Sequence, residues 1–238
     1  MTQGASDARQ DAATTEKPAL PRLLSLTVHE FRSPLTVVSG YIRMLLKDRA
    51  GPISDQQRRL LEEAEKSCGR MSSLLTEVSE LAHLEAGTAP FNRHALDVLR
   101  LLRELAGELP PLPDRDVTIE VDGVAADVHA DAVRLKAALG SILVALRREL
   151  VSSDRIAVRV DRSSDGHGVR VTVAEAAQID DLLALDPSAL SPFDEWRGGN
   201  GLSLANARRV IEAHGGRIYG SRDAVKTFAA ILLPPIGD

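Results

Sequence analysis

Residues 25–41, SLTVHEFRSPLTVVSGY, place reactive side chains inside an apolar helical pattern. His29, Arg32 and Ser33 are three and four residues apart, so on a helix they share a face, and Glu30 follows the histidine directly. A neutral imidazole is a nucleophile at pH 7, and an adjacent carboxylate can accept its ring N–H and fix the tautomer. This combination suits a histidine that accepts a phosphoryl group and is reached from outside.

Pro34 follows Ser33 directly and lies about one turn after the His29–Glu30 pair. Proline has no amide donor, so within a helix it frees the carbonyl of Glu30 and predicts a loosened or kinked turn beside His29. A lone helical histidine is most often an ordinary surface residue, and that alternative stays open on these residues alone.

Two helices joined by a short loop carry this segment. The first is predicted over 22–48, and Gly51-Pro52 breaks it. Ser54 and Gln57 form a capping-box signature for a second helix, which runs to about residue 86 and ends at Gly87. An antiparallel pair of this kind leaves a continuous leucine seam exposed, which two copies bury in a four-helix bundle. We therefore expect a homodimer.

A different pattern begins after residue 90. It predicts helices over 94–109, 131–150 and 202–214, a strand over 117–123, a β-hairpin over 155–176, and two final strands. Gly215-Gly216 ends the last helix. These elements predict an α+β fold, in which a mixed sheet is covered on one face by helices. Residues 1–21 are polar and non-periodic, typical of a disordered leader.

Composition limits the function classes. The chain has 238 residues and a net charge of −5, which argues against nucleic acid as the partner. Cys68 is the single cysteine, so an intramolecular disulfide and a cysteine metal cluster are excluded. No signal peptide and no apolar run of membrane-spanning length is present, so we expect a cytoplasmic protein without membrane insertion.

The segment HEFRSPLT followed by GY resembles the phosphoacceptor box of sensor histidine kinases. The resemblance implies a dimerisation and phosphoacceptor hairpin over 22–88 and an ATP-binding domain of the histidine kinase ATPase type, an α/β sandwich, over 92–238. It implies that His29 is the phosphoacceptor, with Glu30 as base or tautomer-orienting group. Ser33 occupies a phosphatase-type position, and Arg32 lies on the same face.

The segment RGGNGLSLANARRVIEAHGGRI resembles the second glycine box of that family. Gly199, Gly201 and the amides that open the following helix would receive phosphate oxygens. Ser203 stands where the family usually has another glycine. Phe193 resembles the phenylalanine of a short box before the lid, and Trp196 is predicted to be a packing residue near it.

Other family positions are altered. The asparagines and lysine of the metal-binding helix correspond to Ser141, Ala145 and Arg148, and alanine offers no oxygen to magnesium. Glu175 is the counterpart of the aspartate that reads the adenine amine, and residues 176–178, Ala-Ala-Gln, supply none of the glycines of that box. The segment 179–198 is short for a lid that wraps a nucleotide. ATP and Mg²⁺ are therefore doubtful cofactors, and no metal ligand is predicted.

Three functions stay open. In the favoured one, His29 passes a phosphoryl group to, or removes it from, the aspartate of a response-regulator receiver domain, with the chain's own ATP-dependent activity weak or lost. His29 would then be charged by an upstream kinase or by a phosphorylated regulator. The first alternative is an active sensor kinase that phosphorylates His29 from ATP. The second is a non-catalytic partner that binds a kinase or regulator through the hairpin.

Overall fold

The computed structural model describes residues 19–150, 153–163, 168–196, 202–220 and 228–236. Two long N-terminal helices precede an α/β domain, which confirms the predicted α+β fold class. Helix α1 spans Ala19–Leu46 and α2 spans Asp55–Glu85, and we call this pair the hairpin. The α/β domain contains helices α3 (Val98–Glu108), α4 (Ala132–Glu149), α5 (Ile179–Leu183) and α6 (Ser203–Ala213).

The hairpin follows local sequence signals. Ser54 and Gln57 form the predicted capping box, in which the Gln57 amide donates to the Ser54 hydroxyl at 3.3 Å and the Ser54 amide donates to the Gln57 side chain at 2.8 Å. Gly87 has φ +63 just past α2, as a glycine after a helix end commonly does. The predicted leader is wrong at its last three residues, because α1 already begins at Ala19. Pro21 is tolerated there, since the first turn of a helix has no use for its missing amide.

Within the described ranges, the α/β domain contains eight strands. A six-stranded mixed sheet has the order β2-β4-β5-β8-β7-β6, in which β2 and β4 are parallel and the other neighbours are antiparallel. Strands β1 and β3 form a separate antiparallel pair. The strands are β1 (His94–Asp97), β2 (Thr118–Gly123), β3 (Asp127–Ala130), β4 (Arg155–Arg162), β5 (Val169–Glu175), β6 (Ser191–Pro192), β7 (Arg217–Gly220) and β8 (Phe228–Leu233).

The main apolar core lies between the sheet and helices α3, α4 and α6. Val158 and Val173, paired across β4 and β5, face these helices, whereas their neighbours Ala157 and Ala174 face the opposite side. Helix α5 covers that opposite side through Ile179 and Leu182. The expectation of helices on one face alone is therefore wrong, because this short helix shields the small side chains on the other face.

The helix predicted over 94–109 is also wrong at its start. Residues His94–Asp97 pair as β1 with β3, and the helix begins only at Val98. The side chain of Asp97 accepts from the amide of Leu99 at 2.9 Å and so caps the helix N-terminus. Asp97 thus marks the start of α3, which the apolar periodicity of this stretch did not reveal.

Candidate functional site

His29 stands on the outer side of α1. Its side chain is 79% exposed and that of Glu30 is 72% exposed, with 3.6 Å between His29 Nδ1 and Glu30 Oε1. Val28 and Leu35, which point toward the hairpin interior, are buried. The apolar pattern of α1 therefore holds the imidazole outward. Nδ1 is the ring nitrogen that lies beside the carboxylate.

Helix α1 continues through Pro34 without interruption. Pro34 cannot donate to the carbonyl of Glu30, so this turn lacks one backbone hydrogen bond. Thr36 Oγ1 donates to the carbonyl of Arg32 at 2.8 Å, which adds a bond next to the missing one. Arg32 and Ser33 are exposed, as their spacing from His29 predicts.

The hairpin leaves much apolar surface uncovered. Its interior buries Leu35, Ile42 and Cys68. Outside that cluster, large apolar side chains on both helices are exposed: Leu23, Leu26, Phe31, Val37, Val38, Tyr41, Met44, Leu60, Met71 and Leu74. Many exposed large apolar side chains on one helix pair are typical of a protein–protein interface.

On α4, the position that corresponds to the family's usual metal ligand lies inside the core. Ala145 is 1% exposed and belongs to the cluster between the helices and the sheet. Ser141 is half-buried one turn earlier, and Arg148 is exposed at the end of the helix. The methyl group of Ala145 thus contributes to packing, and it presents no donor atom to a metal ion.

Glu175 ends strand β5 and is buried, at 8% exposed. Its Oε2 accepts from Gln178 Nε2 at 3.0 Å, within a short 3₁₀ turn that leads into α5. Gln178 therefore occupies a hydrogen-bonding site on the side chain that the resemblance assigns to adenine recognition.

The first turn of α6 contacts the hairpin. Gly199 and Gly201 lie outside the described residues, whereas Ser203 is the first residue of α6. The backbone amide of Leu202 hydrogen-bonds to the Glu77 carboxylate on α2. Burial raises the pKa of Glu77, and the negative charge of the nearby Glu80 raises it further. The hydrogen bond from the Leu202 amide acts in the opposite direction and lowers this pKa. The side-chain nitrogen of Asn206 donates to the backbone carbonyl of Glu77 at 2.9 Å.

Comparisons with known proteins bear on both halves of this arrangement. Residues 20–87 match the model of the "His Kinase A (phospho-acceptor) domain". The circadian input-output histidine kinase CikA of Synechococcus elongatus is 29% identical over 226 residues, covering 87% of this chain and 28% of the relative. The phosphate regulon sensor protein PhoR of Pseudomonas aeruginosa is 27% identical over 203 residues, covering 80% of this chain and 44% of the relative.

The hairpin thus matches the phosphoacceptor domain of histidine kinases, and over most of its length the chain is similar to sensor histidine kinases of two-component signal transduction. The chain spans less than half of the length of either relative. Two solved structures share its fold. Full-length ShkA in complex with AMPPNP has a TM-score of 0.65 at 21% identity, covering 90% of this chain and 45% of that one. The Acinetobacter baumannii histidine kinase AdeS has a TM-score of 0.56 at 19% identity, covering 87% and 98%.

The histidine kinase match covers α1 and α2 in full apart from the first residue of α1, so His29, Glu30, Arg32 and Ser33 all lie within it. None of the helices in the described ranges is long and apolar enough to cross a bilayer. Histidine, cysteine and carboxylate side chains in those ranges also form no group that could hold a metal ion.

Sequence reasoning missed a cluster where the hairpin joins the α/β domain. The Phe91 ring packs edge-on against His214, with 5.0 Å between centroids, and the guanidinium groups of Arg93 and Arg134 lie 5.1 and 5.0 Å from the Phe91 centroid. His214 Nε2 accepts from the buried amide of Asp131 at 3.0 Å, and its Nδ1 lies 2.7 Å from the carbonyl of Val210. Burial lowers the pKa of His214.

Aromatic residues near the glycine box behave differently from each other. Phe193 is buried and packs against Gly220, whose hypothetical Cβ would lie 3.1 Å from the Phe193 ring. Trp196 is 66% exposed, so the packing role predicted for it is wrong. A carboxylate of Asp194 accepts from the Trp196 amide at 3.0 Å, and this turn directs the indole outward.

Proposed function

We propose that this chain is a phosphotransfer protein of two-component signalling. His29 exchanges a phosphoryl group with the aspartate of a response-regulator receiver domain, and autophosphorylation from ATP is weak or lost. The observation that carries this proposal is a contrast: the exposed His29–Glu30 pair lies on an intact phosphoacceptor helix, whereas Ala145 is packed into the core at the position expected to hold magnesium.

The transfer step uses groups that the hairpin supplies. The phosphorylated aspartate of a receiver domain is an acyl phosphate, and the lone pair of His29 Nε2 attacks its phosphorus. A P–N bond forms as the P–O bond to the aspartate breaks, and the carboxylate leaves with the electron pair. Glu30 accepts the Nδ1–H and stabilises the positive charge that develops on the ring. The reverse sequence returns the group to the regulator.

Magnesium and ATP do not fit the described residues well. Mg²⁺ demands hard oxygen ligands in near-octahedral geometry, and Ala145 has none to give. Glu175 is already hydrogen-bonded to Gln178. Phosphoryl transfer from ATP relies on charge neutralisation and alignment, so loss of a metal ligand removes much of the stabilisation of its transition state.

One observation favours the alternative of an active kinase. Helix α6 begins at Ser203 immediately after the glycine-rich segment, and a helix N-terminus stabilises phosphate oxygens. If another residue held the metal, this terminus would supply part of a nucleotide site. The test below separates the two functions.

The exposed apolar side chains of the hairpin support a homodimer. Val38 and Leu74 are about half exposed. A second copy would cover both in a four-helix bundle and leave His29 on the outside, open to a receiver domain.

The deciding experiment supplies phosphate from two sources. The purified chain is incubated with radiolabelled phospho-receiver domains, and separately with radiolabelled ATP and magnesium. We expect acid-labile label from a phospho-receiver within minutes, at least about tenfold faster than any label from ATP, because the acyl phosphate needs no metal on this chain.

The control is His29→Gln, which keeps a polar side chain of similar size but lacks the nucleophilic ring. It should take no label from either source. Label from ATP as fast as from the best receiver domain would overturn the proposal in favour of the active kinase. Label that persists in His29→Gln would show that His29 is not the phosphoacceptor in either function. Ser33→Ala serves as a second variant, and faster loss of phosphate from a regulator with wild type than with Ser33→Ala would identify a phosphatase role.

A further inference from the structure

Residues 86–93 connect α2 to β1, and we call them the linker. Two of the contacts that attach the linker to the α/β domain meet at one place. The amide of Asn92 donates to Asp131 Oδ2 at 2.9 Å, and the Phe91 ring packs edge-on against His214, with 5.0 Å between centroids. We call Phe91, Asn92, Asp131 and His214 the linker clasp.

Both ring nitrogens of His214 are hydrogen-bonded inside the clasp, and their partners fix where the proton of the ring lies. Nδ1 lies 2.7 Å from the carbonyl oxygen of Val210, which can only accept, so Nδ1 carries the hydrogen. Nε2 lies 3.0 Å from the backbone nitrogen of Asp131 and accepts its hydrogen. The geometry therefore requires a neutral imidazole with the proton on Nδ1.

A second proton on this ring has no place in the arrangement. It would bind Nε2, and the new N–H would point at the amide N–H of Asp131, so that two donors would face each other. The imidazolium would instead attract the Asp131 carboxylate. That carboxylate already accepts from the Asn92 amide at 2.9 Å and from the Arg134 amide at 3.0 Å. A rotation toward His214 therefore weakens the hold on the linker, on the first turn of α4, or on both.

The charged groups around His214 come from several elements. Burial lowers the pKa of His214, and the positive charges of Arg93 in the linker and Arg134 in α4 lower it further. The hydrogen bond to the α6 backbone and the negative charge of Asp131, between β3 and α4, oppose them. From α2, Glu80 is the ion-pair partner of Arg134, with 2.8 Å between Oε1 and Nη1. The surroundings thus favour the neutral ring that the hydrogen bonds require.

We propose that the linker clasp is an acid-sensitive switch, in which a proton on His214 breaks the hydrogen bond from the Asp131 amide, draws the Asp131 carboxylate away from the Asn92 amide and frees the linker. The step is a proton transfer from hydronium to Nε2, and no other covalent bond changes. At neutral pH the clasp is closed. Acidification detaches the linker from the α/β domain and so loosens its connection to the hairpin. The inference does not depend on which phosphoryl donor serves His29.

Amide hydrogen exchange of the full chain, followed by NMR at pH 7.5 and pH 5.5, tests this switch. Each rate is divided by the intrinsic rate of that amide at the same pH, which removes the ordinary effect of acidity on exchange. In wild type, we expect the protection of the Asn92 and Asp131 amides to fall about tenfold over this range, because opening is coupled to one proton. The amides of β5 should keep their protection, since a local opening leaves this central strand paired on both sides.

The variant His214→Gln keeps a polar side chain but has no group that titrates in this range. Protection of its Asn92 amide should therefore agree at the two pH values to within about twofold. The matched control is His129→Gln, which removes an exposed histidine from β3 and should show the same fall as wild type. An equal fall in wild type and His214→Gln would overturn the switch. So would a fall in β5 as large as that at Asn92, because the opening would then be global.

If His214→Gln does not fold, a pH titration of wild type decides. The ring resonances of His214 and the amide resonance of Asn92 are followed in the same samples. We expect both to change with one shared midpoint below the ordinary value of 6.5, because one proton controls both. Different midpoints, or an Asn92 resonance that stays constant while His214 titrates, would contradict the proposal.

Discussion

The surroundings of His29 and those of Ala145 differ in what their side chains are positioned to do. At His29, a regular apolar pattern on one face of α1 keeps two polar side chains outside, where a large partner can reach them. At Ala145, the same kind of pattern on α4 turns a position expected to be polar into part of the core. A helix can therefore keep its place in the fold while the chemistry of one of its faces is replaced by packing.

Removing the nucleophile should give the largest effect. With His29→Ala, we expect phosphoryl exchange with receiver domains to fall by at least about a thousandfold, because no neighbouring side chain can take over nucleophilic attack. Labelling rates from a phosphorylated receiver domain measure this, and circular dichroism should show unchanged helix content. Exchange above one-tenth of the wild-type rate would show that the phosphoacceptor is another residue, and His29 would then not be a reactive site to compare with Ala145.

The apolar outside of the hairpin gives the next largest effect. Val38→Glu places a charge in the predicted contact between two copies, where burial without a partner is costly, so the dimer dissociation constant should rise by about a hundredfold or more. Sedimentation at several concentrations measures it. Arg22→Glu, an exposed position on the same helix, is the control and should leave association nearly unchanged. A monomeric wild type would contradict the prediction.

A substitution at Ala145 tests whether this position belongs to the core. Ala145→Asn buries an amide in an apolar core, so the free energy of unfolding should fall by about 2–3 kcal/mol. Urea denaturation measures the loss, and Ser141→Asn at the half-buried position one turn away should cost about 1 kcal/mol or less. If Ala145→Asn were instead stable and gained a magnesium-dependent response to ATP, the position would be a vacated ligand site and not a core position.

His214 should give the smallest effect, a change of known sign in the pH dependence of the free energy of unfolding. Burial lowers its pKa from the ordinary 6.5, so the unfolded state binds more protons and stability falls as the pH drops below that value. Between about pH 7.5 and pH 5.5 the loss attributable to this residue is at most about 1.4 kcal/mol. Arg93 and Arg134 also disfavour its charged form, and Asp131 opposes them.

His214→Gln should remove this pH dependence, measured as unfolding free energy at the two pH values. His129→Gln, an exposed position, should retain it. Burial acts to raise the pKa of Asp131, but hydrogen bonds from the Arg134 and Asn92 amides outweigh it and lower this pKa. Asp131 therefore titrates below the tested pH range and does not contribute to the measured slope. An unchanged slope in His214→Gln would show that other groups carry the pH dependence.

Much of the fold was predictable because it depends on local signals. The capping box at Ser54, the glycine after α2 and the alternating valines of β4 and β5 each act over a few residues. His29 and its neighbours were predictable for the same reason, since a helical face follows from spacing alone. The structure places them as expected, and their roles stay predictions.

What the sequence did not reveal depends on long-range contacts. Glu77, Glu80 and Glu85 look like ordinary solvated charges on α2, and only the position of α4 and α6 shows what they bind. The role of Ala145 likewise depends on the depth of α4 against the sheet. Phe91 lies between the two predicted domains, and its ring contacts two segments that are distant in sequence, at Arg134 and His214.

Those contacts of Phe91 have a consequence for how the molecule comes apart. The segment after α2 is held on one side by the Phe91 ring against His214, and Arg134 Nε donates to the carbonyl of Pro90 at 3.1 Å. The backbone amide of Asn92 donates to Asp131 at 2.9 Å. Heating should therefore unfold the hairpin and the α/β domain in a single cooperative transition. Separating the two as protein fragments would expose both sides of the contact between the Phe91 ring and His214.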